Sequence, residues 1–89
     1  MKRKTILTNA ENLITGDREE VYGEPHKQFK VVATFWSAYL NKEIQPHEVC
    51  SMMELLKIAR RLEKPEYEDN YVDAAGYAAL SWELACEKK

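Results

Sequence analysis

Asp69, Asp73 and Tyr77 are spaced four residues apart, so any helix containing them presents all three on one face. Just upstream, on the far side of Pro65, stands a basic cluster of Lys57, Arg60 and Arg61. Two antiparallel helices joined by a short proline-marked turn would bring the acids and the bases together. Carboxylates facing cations can hold a magnesium ion bound to a phosphate, with lysine or arginine gripping the phosphate oxygens. Magnesium takes oxygen ligands and usually shares them with its substrate. On this reading Asp69 and Asp73 are metal or sugar-binding groups, and Lys57 and Arg60 bind phosphate. The plainer alternative makes Asp69 the cap of the downstream helix and gives Asp73 a partly buried ion pair with Lys57 or an arginine, which sets helix register and does no chemistry. Residue types alone favour that alternative.

A second group lies in "TGDREEVYGEPHKQF", where Asp17, Arg18, Tyr22, Gly23 and His26 sit in or beside a connection between helices. Arg18 suits phosphate recognition, the Tyr22 ring can stack on a base, and the helix opening at Pro25 offers free amides to an anion. Glycines and charges are also what any helix connection needs. His26 and His47 are isolated and read as exposed or capping residues, while Trp36 and the Met52–Met53 pair read as core.

The elements that must position these groups follow from apolar spacing, which is helical throughout. The expected first helix runs from about Thr5 to Ile14, with Thr8 and Glu11 offering a capping box inside it, and stops at Thr15 and Gly16. The second, about Pro25 to Leu40, carries Phe29, Val32, Ala33, Trp36, Tyr39 and Leu40 on one stripe and ends at Asn41. Pro46 and Glu48 open a third that continues to about Glu63. Val49, Met52, Met53, Leu56 and Ala59 form its main stripe. Leu55, Ile58 and Leu62 cover a second face, which makes this helix central or part of a subunit contact. The fourth starts near Asp69 or Asn70 as cap. Its small residues Ala74, Ala75, Gly76, Ala78 and Ala79 would let another backbone approach closely, since a helical glycine costs about 1 kcal/mol and needs a packing reason.

These elements amount to one all-α, four-helix domain over residues 1–89. A chain of 89 residues buries only roughly 60 to 65% of its unfolded surface, so a bundle completed by homo-oligomerisation is expected. A net charge of −2 and pI near 5.7 give no general field for nucleic acid. No apolar run approaches the roughly 20 residues that cross a bilayer, and Thr8, Asn9 and Glu11 interrupt the start too early for a signal peptide. A cytoplasmic place, with neither a membrane nor a nucleic-acid partner, is the expectation. Cys50 and Cys86 have neither CxxC nor zinc spacing and read as two buried, reduced thiols.

Together the pieces resemble a family of short phage and prophage proteins catalogued as a domain of unknown function. The resemblance covers about residues 5 to 85 and rests on Gly16-Asp17-Arg18, Tyr22-Gly23-x-Pro25, Phe29, Trp36, Leu56-Lys57-x-Ala59-Arg60, Asp69 and Asp73-x-Ala75-Gly76-Tyr77-Ala78. More remotely, the paired helices look like the core of the all-α MazG-like nucleotide pyrophosphohydrolases, whose carboxylates on two neighbouring helices bind magnesium and hydrolyse nucleoside triphosphates. The enzymes' pattern is ExxE on one helix and ExxD on the next. Here Glu54 is followed at that spacing by Lys57, and Asp69 and Asp73 are four apart. These resemblances imply a phage-type protein, in a bacterial host cell, that binds a phosphorylated nucleotide through Arg18, Tyr22, Lys57, Arg60, Asp73 and Tyr77. Glu54, Asp69 and Asp73 are the implied magnesium ligands, and turnover is left open. The competing expectation is a non-catalytic accessory factor that sequesters a nucleotide signal or inhibits a host protein.

Overall fold

The computed structural model describes residues 3–15 and 25–87, which form four helices and, among the described residues, no strand. Helix α1 spans Arg3–Thr15, α2 Pro25–Leu40, α3 Pro46–Arg60 and α4 Glu68–Cys86. The all-α, four-helix expectation is met, with α2 at its expected bounds. Helix α1 begins two residues earlier than expected, which places Thr8 in its interior rather than at a cap.

Local chemistry explains the ends. Helix α2 stops because Asn41 takes a left-handed conformation (φ 54°). The amide of Lys42 then donates to the Ser37 carbonyl at 3.1 Å and that of Asn41 to Ala38 at 3.3 Å, satisfying carbonyls that the ended helix would orphan. The Ser37 hydroxyl also accepts from the Ile44 amide at 2.8 Å, pulling the chain round toward α3. At the start of α3, Pro46 needs no donor and the Gln45 amide donates to Glu48 Oε1 at 2.8 Å. Helix α3 ends at Arg60 rather than Glu63, its cap Arg61 followed by a turn through Pro65. Helix α4 is capped by Tyr67, which contributes no side-chain cap bond, so neither Asp69 nor Asn70 caps it. Glu68 and Asp69 instead lie in its first turn, where negative charge suits the helix dipole.

Helix α3 lies between α2 and α4, in keeping with its two apolar faces, and α4 in turn packs on both α1 and α3. Helix α3 packs along α4 in antiparallel sense: Ser81 Oγ donates to the His47 carbonyl at 2.8 Å and lies 2.9 Å from Ser51 Oγ, while Lys57 meets Asp73 further along. Helix α1 runs parallel to α4, with Asn9 Nδ2 donating to Glu68 Oε2 at 2.8 Å and Leu13 and Ile14 reaching Gly76. Helix α2 packs on α3 and touches α4 through Phe29 and His26. The small residues of α4 admit α1, because a side chain larger than hydrogen at Gly76 would press on it.

The core is small: Ala10, Ala33, Val49, Cys50, Val72, Ala74 and Leu84 are its buried apolar residues. Tyr39 and Leu40, expected on the inner stripe of α2, are exposed, Tyr39 at 89%. Met52 is exposed as well, and Met53 and Trp36 are only half-buried. Among the described residues α2 packs on α3 and touches α4, and they do not cover the full width of the stripe read from the sequence. Both cysteines are free, as expected, but only Cys50 is buried; Cys86 is exposed. Burial pushes the Cys50 thiol up to about 12, so it stays protonated and unreactive as a nucleophile.

A Cβ built on Gly76 lies 3.1 Å from Ile14 Cγ2 and 3.8 Å from Leu13 Cδ2. Gly76→Leu should therefore lower stability by roughly 1 to 3 kcal/mol through overpacking between α1 and α4. Denaturant unfolding reads this directly, and an unchanged midpoint would mean that α1 does not rest there.

Candidate functional site

The half-buried polar face of α4 begins at Asp73. Tyr77 and Leu80 follow on the same stripe, half-buried, and Leu84 is buried at its end. Helical spacing turns Asp73 inward with them, and an inward carboxylate must be answered because desolvating an unpaired charge is costly. Lys57 answers it, with Nζ 2.9 Å from Asp73 Oδ2 and side-chain exposures of 16% and 27%. The antiparallel run of α3 and α4 makes this contact possible, Lys57 lying one turn before the end of α3 and Asp73 in the second turn of α4. One turn beyond Asp73, the Tyr77 ring meets Phe29 of α2 edge-on, with centroids 6.3 Å apart and planes at 78°.

The rest of the basic cluster divides. Arg60 is exposed at the last turn of α3. Arg61 lays its guanidinium over the Tyr71 ring, 4.2 Å from the centroid, and its buried Nε has no hydrogen-bond partner. Tyr71 is held in turn by its hydroxyl, which donates to the Pro65 carbonyl at 2.6 Å. The expected acids do not gather either. Asp69 is exposed, with the Tyr67 hydroxyl 3.4 Å from its Oδ2, and Glu54 is half-buried on α3. Among the described residues no three His, Cys, Asp or Glu side chains form a group that could hold a metal ion. Arg18 and Tyr22 lie outside the described residues. Thus the structure brings together Lys57 and Asp73, with Tyr77 one turn away, and sets Arg60 at the neighbouring turn.

Sequence reasoning missed two features. His26 is not isolated: its Nε2 pairs with Glu83 Oε1 at 2.7 Å and its Nδ1 with Glu87 Oε2, joining the start of α2 to the end of α4. Its place at the start of α2 opposite two acids one turn apart was the available signal. Asn70, expected with Asp69 as a possible cap, is the buried polar residue among the described residues, at 3% exposure. Nothing in its type signalled burial; its spacing from Ala74, on the packed face of α4, did.

A half-buried, oppositely charged pair beside an aromatic ring can exchange its internal partner for a ligand's charges: Lys57 for a phosphate oxygen, Asp73 for a hydroxyl or a cation. Unliganded, the pair stabilises the α3–α4 contact. Lys57→Met, which strands the inward carboxylate, should lower stability by roughly 1 to 3 kcal/mol, and Asp73→Asn, which keeps a hydrogen-bonding group facing Lys57, should cost less. Denaturant unfolding of both variants checks the order; equal and negligible effects would show that the pair is solvated.

The comparisons with known proteins agree with the sequence pattern. A family model described as "Domain of unknown function (DUF6378)" matches residues 5–85, nearly the whole chain, and the chain belongs to that family. It is 44% identical over 77 residues to the "Gene 55 protein" of Mycobacterium phage L5, an alignment covering 85% of this chain and 49% of that protein. It is 43% identical over 75 residues to the "Gene 55 protein" of Mycobacterium phage D29, covering 84% and 50%. The chain thus spans about half the length of the curated relatives it matches. No solved structure matches it.

Proposed function

We propose, from the premise of that phage-protein family, that this chain binds a phosphorylated nucleotide through the facing surfaces of α3 and α4 and does so without turnover. The observation that carries the reading is the Lys57–Asp73 pair at 2.9 Å, half-buried one turn from Tyr77 and beside the Arg60 end of α3. Asp73 is engaged by a lysine, as befits a group that meets a ligand's hydroxyl or balances its phosphate, and less so a magnesium ligand. A MazG-like hydrolysis would require Glu54, Asp69 and Asp73 to converge around magnesium, an arrangement that the exposed Asp69 does not favour. Sequestering a nucleotide is the phage-accessory role that fits binding of this kind.

The test is a thermal-shift panel of nucleotides with and without magnesium. A bound nucleotide at about 100 times its dissociation constant should stabilise the protein by roughly 2.7 kcal/mol. Lys57→Met should remove the shift, and neither phosphate nor pyrophosphate should be released. Absence of any shift across the panel would overturn the reading; magnesium-dependent release of pyrophosphate would replace sequestration with hydrolysis.

The protein is proposed to act as a homo-oligomer. Val31, Phe35 and Tyr39 lie at i, i+4 and i+8 on α2, all exposed, and Leu55, Ile58 and Leu62 form an exposed stripe along α3 and just beyond it. Apolar rows of this extent on a chain with so small a core suit a second copy of the same surface. Light scattering at micromolar concentration should give a multiple of 10.4 kDa, and Phe35→Glu should return it to the monomer. A monomer in the unaltered protein would contradict this.

A further inference from the structure

The turn between α3 and α4 encloses a cleft of about 510 Å³, lined by Ala59, Arg60, Leu62, Lys64, Tyr67 and Asn70, together with Glu63. Its volume lies within the range of roughly 300 to 1,000 Å³ typical of small-molecule sites. Asn70 is 3% exposed, yet its carboxamide enters none of the side-chain hydrogen bonds among the described residues. Among the described residues the fully buried side-chain polar atom without a partner is Arg61 Nε, so the Asn70 carboxamide keeps a small accessible edge, which a ligand in the cleft can meet. Around it stand one exposed aromatic ring and two cations. Lys64 Nζ lies 5.7 Å from the Tyr67 ring centroid, and neither Lys64 nor Arg60 is in an ion pair among the described residues.

We propose that this cleft is the base seat of the nucleotide site and that it selects adenine. The inference rests on the nucleotide-binding reading above and adds a place and a base to it. A carboxamide presents a donor and an acceptor side by side, the complement of the N7 acceptor and N6 amino donor of adenine. The Tyr67 ring supplies a stacking face, which every base can use, so Tyr67 gives affinity and Asn70 gives choice. Arg60 and Lys64 join Lys57 on the phosphate, the guanidinium by its planar fork and the ammonium as a point charge. Two cations against the single carboxylate of Glu63 leave a small positive excess in the lining, which fits one phosphate better than three.

The experiment measures binding of the 5′-monophosphates of adenosine, guanosine, cytidine and uridine by calorimetry, with the Asn70 side-chain amide followed by ¹⁵N NMR. The adenosine compound should bind at least about tenfold more tightly than the guanosine one, the discrimination expected of one bidentate base contact, and should move the Asn70 amide resonances. Asn70→Leu should erase that preference. Tyr67→Ala, at an exposed position where folding is not at risk, should weaken all four nucleotides together. Equal binding of the four bases with an unmoved Asn70 amide would overturn the adenine seat. Nucleotide binding that is lost in Lys57→Met but indifferent to both Tyr67→Ala and Asn70→Leu would overturn the seat alone and leave the functional reading standing. No binding by any nucleotide would end both.

Discussion

An inward carboxylate on a packed helix must be answered, and Asp73 is answered by Lys57. Much of the arrangement depends on that one pair. It ties α3 to α4 at one register, Lys57 Nζ meeting Asp73 Oδ2 at 2.9 Å. With the register set, Ser51 and Ser81 come within reach of one another, and the basic end of α3 is brought over the first turns of α4. The same pair underlies the proposed function: a charge already half removed from water, held by one lysine, is a place where a ligand's own charge can take over.

The second constraint is the closeness of α1. Helix α4 keeps Gly76 on the side where Leu13 and Ile14 come down, and so accepts a partner on each of two faces while Tyr77 meets α2 at its edge. A helix used on so many sides has little room for large side chains, which is why the buried core is made of alanines, two valines, a leucine and Cys50. Most of the larger apolar groups left exposed lie on α2 and α3, with Leu7 on α1 and Trp82 on α4 besides. A chain of this size retains little surplus from such a core, and the outward rows on α2 and α3 are the available source of more.

Helix existence was legible in the sequence because the apolar period, the prolines at Pro25 and Pro46 and the stop at Asn41 all act locally. The inward turn of Asp73 was legible for the same reason: spacing from Tyr77, Leu80 and Leu84 settles it without knowledge of the neighbours. The two apolar faces of α3 pointed to its place between α2 and α4. That α4 also takes α1 on a further face was less legible, since it follows from small side chains that admit another backbone, a property of pairs of helices. The dispersal of the basic cluster was hidden too, since helix α3 ends at Arg60 and the turn after it sends Arg61 to Tyr71. The burial of Asn70 depended on where Tyr67 ended the turn: with the cap two residues before Asp69 and three before Asn70, Asn70 moves from helix end to helix face.

The central claim is that Lys57 and Asp73 form one energetic unit that a nucleotide engages. A double-mutant cycle of Lys57→Met and Asp73→Asn, measured by denaturant unfolding without nucleotide and at saturation, tests it most directly. Without nucleotide, the two changes should depart from additivity by about 1 kcal/mol or more, as contacting residues do, and the departure should change when ligand takes over one partner. Additivity within about 0.5 kcal/mol in both conditions would contradict the account, because two groups that do not feel each other neither set the register nor hold a site.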